Sequence, residues 1–93
     1  MFKLLDIIEF NKKVLLKTIG NIIHQKRTNI PKGINKFSLE YSIGNGLLSR
    51  LEAGKIDTQI TTLWKLANAF GIKFSDLAKE IENELPADFN FYD

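Results

Sequence analysis

Residues 38–55 read SLEYSIGNGLLSRLEAGK, and how this stretch divides decides the fold. With Phe37 just upstream, the apolar positions are Phe37, Tyr41, Ile43, Leu48 and Leu51. Their spacing predicts the end of one helix, a turn through Ser42, Ile43 and Gly44, and a second short helix stopped at Gly54. A link that short joins only helices that cross, and the five apolar side chains form the seam between them. Asn45, Leu47 and Arg50 then face away from the seam. A crossed pair that presents side chains near a helix N-terminus has the shape and the dipole to enter the major groove of DNA.

Working outward, helical periodicity continues on both sides. Segment 11–28 places Val14, Leu15, Ile19, Ile22 and Ile23 on one stripe, with Asn11 as its N-cap. Pro31 and Gly33 interrupt it, a second helix covers about 34–41, and a third covers about 45–53. The fourth starts after Asp57 or Thr58, carries Ile60, Leu63, Trp64, Ala67 and Phe70, and closes at Gly71. The fifth opens with Ser75 as N-cap and Asp76 at its positive end, buries Leu77, Ala78 and Ile81, and stops before Pro86. The expected architecture is all-α, a compact five-helix domain over 11–85 with an N-terminal extension 1–10 and a C-terminal tail 86–93. In the extension MFKLLDIIEF, the apolar residues Phe2, Leu4, Leu5, Ile7 and Ile8 fit neither the strand nor the helix period. The tail ADFNFYD sets three aromatics among acids. Ends this apolar either fold back on the core or meet a second subunit. The second is favoured, because the five helices close a core without them.

The chain has 93 residues, 44% of them apolar, which suits one folded domain. It contains no cysteine, so disulfides and thiolate metal sites are excluded. No apolar run reaches the roughly 18 residues of a membrane span, and Asp6 and Glu9 break the apolar centre that a signal peptide needs. A soluble, cytoplasmic protein is expected. The net charge of +2 conceals a sorted distribution. Residues 11–55 hold nine Lys and Arg against two acids, whereas residues 56–93 hold three against seven. Such sorting implies one face for a polyanion and another turned away from it. By itself it does not separate nucleic acid from an acidic protein.

Residues 34–55 resemble the helix-turn-helix of the phage-repressor and Cro-type (Xre-like) transcriptional regulators. All five seam positions are apolar, and small Ser38 stands where the helices cross most closely. The run LSRLEAGK (48–55) is very like the end of that family's recognition helix. Upstream, IGNIIHQKR (19–27) is similar to its first helix, with Arg27 at a characteristic arginine position. Downstream, LWKLANAFGIKFSDL (63–77) looks like its fourth and fifth helices. The resemblance runs without a gap over about 19–81. It implies a lambda-repressor-like fold and binding of double-stranded DNA by a homodimer on a two-fold-symmetric operator, with half-sites roughly 34 Å apart. Repression is expected over activation, since covering a promoter demands no second surface. The family pattern also implies that Glu52, an acid in the most basic stretch, turns inward to pair with Arg27.

On the expected reading surface, Asn45 is suited either to an adenine edge or to capping the helix. Leu47 is suited to a thymine methyl group or to packing back against Ile34 or a partner. Arg50 can grip guanine with two hydrogen bonds. Gly46 lies at the same tip, where backbone approach is closest. Asn35, Lys36 and Lys55 suit the phosphate backbone. Several features depart from the family. Ser42 replaces the turn glycine and must take up a left-handed conformation. Ile34 replaces a glutamine, Lys26 an apolar residue, and Gly44 and Gly46 remove side chains where base-reading groups project. Either the backbone approaches DNA unusually closely there, or base reading is thin and specificity leans on Arg50 and on DNA shape. Two rival readings keep the fold. One is an antitoxin-like protein that meets a toxin through its N-terminal arm or aromatic tail and binds its own promoter. The other is a protein-interaction module with a decayed DNA face. No enzyme is expected: His24 has no metal-ligating or catalytic neighbours at the right spacing, the serines lack a base, and GNG (44–46) is no phosphate loop. No cofactor or metal is expected.

Overall fold

The computed structural model describes residues 3–93. Phe2, one of the apolar residues of the N-terminal arm, lies outside them. Five helices follow one another: α1 (Leu4–Thr28), α2 (Ile34–Tyr41), α3 (Asn45–Glu52), α4 (Ile60–Ala69) and α5 (Phe74–Glu84). No strand occurs among the described residues, and no helix there is long and apolar enough to cross a membrane.

The largest departure from the sequence expectation is at the start. The arm is helical and continuous with the first helix, so α1 runs for 25 residues, about 37 Å at the usual rise. Asn11 is therefore no N-cap. The helix begins seven residues earlier, at Leu4, where the Asp6 carboxylate accepts a hydrogen bond from the Lys3 backbone N–H at 3.3 Å. Asn11 instead sits in mid-helix, only 8% exposed. Its amide donates to the backbone carbonyls of Phe91 at 3.1 Å and Asp93 at 3.3 Å. The C-terminal tail is thus folded back along α1. It is non-helical, turned by a Phe89 N–H to Pro86 carbonyl bond and by an edge-on packing of Phe89 and Phe91.

The core gathers Ile22 and Ile23 from α1, Phe37 from α2, Ile43 from the turn, Leu48 and Leu51 from α3, Leu66 and Ala67 from α4, and Leu77 from α5. Of the five seam residues only Tyr41 is half-buried; its ring packs 4.8 Å from Phe37. The apolar stripe of α4 is rotated from the one expected. Leu66 is buried, while Ile60 and Trp64 are largely exposed. Trp64 stacks on Phe74, with ring centroids 4.7 Å apart. That stack anchors the first turn of α5, which starts at Phe74 with Lys73 at the cap position rather than at Ser75. α1 crosses close to α3. A Cβ on Gly20 would stand 2.5 Å from the Leu51 carbonyl oxygen, so glycine is what permits the approach. Lys26, where an apolar residue is usual, bonds Glu80 at 2.8 Å and ties α1 to α5.

Candidate DNA-binding surface

The turn between α2 and α3 fixes where α3 points. Ser42 has φ 53° and ψ 45°, the left-handed conformation that its place after the helix demands. The Ile43 N–H donates to the Ser38 carbonyl at 3.0 Å, which closes the turn. The exposed Ser42 carbonyl accepts a hydrogen bond from Lys65 Nζ at 2.8 Å, so α4 braces a conformation that costs a serine on the order of 1 kcal/mol. Buried Ile43 then pins the bend from inside.

The C-terminal end of α3 is held by charge. Glu52 turns inward, and Arg27 of α1 grips it with Nε at 2.5 Å and Nη2 at 3.0 Å. The two side chains are only 7% and 10% exposed. His24 adds a third contact, with Nδ1 2.8 Å from Glu52 Oε1. Burial pushes the Glu52 carboxyl upward, but the hydrogen bonds from Arg27 and His24 outweigh it and hold the group below the usual carboxylate range. The hydrogen bond to Glu52 likewise raises Arg27 above its ordinary value. The inward Arg27–Glu52 pair implied by the resemblance is present. The part of His24 escaped the sequence reading, although its place three residues before Arg27 on one helix face carried the signal.

With Leu48, Leu51 and Glu52 turned inward, the outward face of α3 consists of Asn45, Gly46, Ser49 and Arg50. Ser49 was not among the expected base readers, yet it falls one turn beyond Asn45 on the same face. Leu47 lies at the flank of that face, half-buried against the core. The Arg50 guanidinium folds back over the bare Cα of Gly46, where a Cβ would come within 3.3 Å of its Nη1. Asn45 is not the helix cap, a position held by Gly44. Its amide donates to Asn35 Oδ1, which joins the first turns of α2 and α3. Beside this bridge lies an open groove of about 440 Å³ lined by Asn35, Leu39, Ser42 and Gly44 among others. Ile34, in the usual glutamine's place, is half-buried on the core, and Asn35 beside it carries the polar side chain.

The basic block divides in two. Lys12, Lys26, Arg27 and Lys32 are paired with Asp57, Glu80, Glu52 and Glu40 respectively. Lys13, Lys17, Lys36, Arg50 and Lys55 make no ion pair among the described residues. All five are exposed. Lys36 stands on the outer side of α2. Lys55 follows Gly54, whose φ of 72° ends α3 and whose Cα passes so close to α1 that a Cβ would lie 2.9 Å from Lys17 Cα. The Lys55 N–H bonds back to the Arg50 carbonyl at 3.0 Å.

A helix-turn-helix family model matches residues 23–77, from the last turns of α1 to the first turn of α5. No curated protein and no solved structure matches the chain. The match takes in more than half of the sequence and every element that builds the α2–α3 face. The chain therefore belongs to the Cro/C1-type helix-turn-helix family, and it is a DNA-binding transcriptional regulator.

Proposed function

We propose that the protein is a sequence-specific repressor. As a cytoplasmic homodimer it binds a two-fold-symmetric operator on double-stranded DNA, with α3 in the major groove. The observation that carries this reading is the division of the basic block: the cations left unpaired include Lys36, Arg50 and Lys55, while the acids of the block, Glu40 and Glu52, are consumed in pairs. Arg50 and Asn45 read base edges and Leu47 touches from the flank. Gly46 lets the backbone and the Arg50 guanidinium come close. Asn35 acts through Asn45, holding its amide in one orientation, in addition to its place near phosphate. Lys36 and Lys55 position the backbone.

Fluorescence anisotropy against random and selected duplexes, over a salt series, tests the proposal. Log affinity is expected to fall steeply with log salt. If no duplex binds below about 10 µM at low salt, the DNA-binding mechanism fails, because ordinary non-specific binding reaches roughly that range. Arg50→Ala relaxes preference at one base position by about 1–3 kcal/mol, whereas Lys55→Ala weakens all sequences alike and flattens the salt slope by about one unit. Equal effects of both on every sequence remove Arg50 from base reading.

A further inference from the structure

The first half of α1 lies outside the matched family region and carries a face that the domain does not use. Asp6, Phe10 and Lys13 are spaced four and three residues apart, so they line one side of the helix. All are exposed; Phe10 is exposed by 67%, and Tyr92 of the folded-back tail by 66%. Next to the Phe10 ring is a hollow of about 630 Å³, bounded by Asp6, Ile7, Glu9, Asn11, Lys13 and Asp93. A protruding aromatic and a hollow therefore share one small patch. Asp6 and Lys13 flank Phe10 at similar distances along the helix with opposite charge, and neither makes an ion pair among the described residues.

A two-fold interface requires the same patch on both partners, so that every knob finds its hole and every charge its opposite on an identical surface. This face meets that requirement. Running two copies of α1 antiparallel with Phe10 near the axis sets Asp6 of each against Lys13 of the other and lets each Phe10 enter the hollow beside its counterpart. A different protein would leave that self-complementarity without a purpose. We propose that this face, completed by the tail that Asn11 holds in place, is the seam of the homodimer. The inference rests on the dimeric reading above and names its surface.

Sedimentation velocity of the full chain without DNA, up to about 100 µM, tests it. The wild-type chain is expected to dimerise. Phe10→Asp raises the dimer dissociation constant on the order of 100-fold with helix content by circular dichroism unchanged. Asp6→Lys and Lys13→Asp are each monomeric, and mixing the two in equal amounts restores a dimer, because each lysine then faces an aspartate. A wild-type chain that stays monomeric overturns the proposal. So does a dimer indifferent to Phe10→Asp, or a mixture of the charge variants that fails to associate. None of these readouts involves DNA. Failure here leaves Arg50 and the salt series to stand or fall separately.

Discussion

Glu52 does two jobs at one position: it turns a negative charge away from the face proposed to meet phosphate, and it fastens the end of α3 to α1. Because the pair is nearly buried, removing only one partner leaves a charge without compensation. Glu52→Ala is expected to lower stability by about 3 kcal/mol, read from urea denaturation. The pH dependence follows from the same contacts. The folded Glu52 titrates below its ordinary value, so its stabilisation is complete above the usual carboxylate range of about 4–4.5. It is lost as pH falls through the lower folded value. Wild type should therefore lose stability more steeply below about pH 4 than Glu52→Gln, a difference checked by denaturant midpoints at stepped pH. An acid inside a basic block marks Glu52 as a residue that a DNA-facing surface should avoid, but its partner Arg27 was legible only through the family resemblance. His24 was harder: its place three residues before Arg27 puts it on the same helix face, but a lone histidine does not name the residue that the fold brings across from another helix.

Among the elements, α3 and α1 show opposite uses of glycine. Gly20 allows two backbones to approach, and nothing nearby can move aside for a methyl group, since the atoms it would meet are the Leu51 and Glu52 carbonyls. Gly20→Ala should cost about 1–3 kcal/mol, enough to lower the thermal midpoint by several degrees. Gly46 is exposed on the proposed reading face, and the atom in its way is the flexible end of Arg50. Gly46→Ala should instead raise stability by up to about 1 kcal/mol through helix propensity. It should alter base preference by displacing the guanidinium and leave the salt slope unchanged; an unchanged base preference would show that Arg50 does not depend on that space. The helices themselves were readable because seam, turn and stops obey local rules: the apolar spacing, the left-handed Ser42, and Gly54 and Gly71 at the ends of α3 and α4. The stripe of α4 was misread because local periodicity cannot say which side of an apolar helix the others will cover. Trp64 is large enough to look like core, yet it packs beside Phe74 at the surface.

At the scale of the whole molecule, the expected boundary near residue 10 falls inside one helix, so the part thought separate is a rigid lever on the DNA-binding core. No local signal reveals this, because Asn11 has the chemistry of a cap and its actual partners lie about eighty residues away in the tail. In the proposed dimer, the continuous α1 would fix how two α3 helices sit relative to one another, since α3 is bound to the same helix through Gly20 and Arg27. Dimer and operator are then coupled by geometry. Breaking the seam leaves each reading face intact but turns one two-site binding event into two separate ones. Phe10→Asp should therefore bind a single half-site with wild-type base preference, lose the tighter affinity for the symmetric operator, and show a salt slope about half as steep, because about half as many phosphates are neutralised per bound unit. Anisotropy titrations of wild type and variant on symmetric and half-site duplexes at three salt concentrations measure all three quantities. Equal slopes on the symmetric operator would mean that both proteins engage DNA as the same unit, and that the Phe10 face plays no part in assembling it.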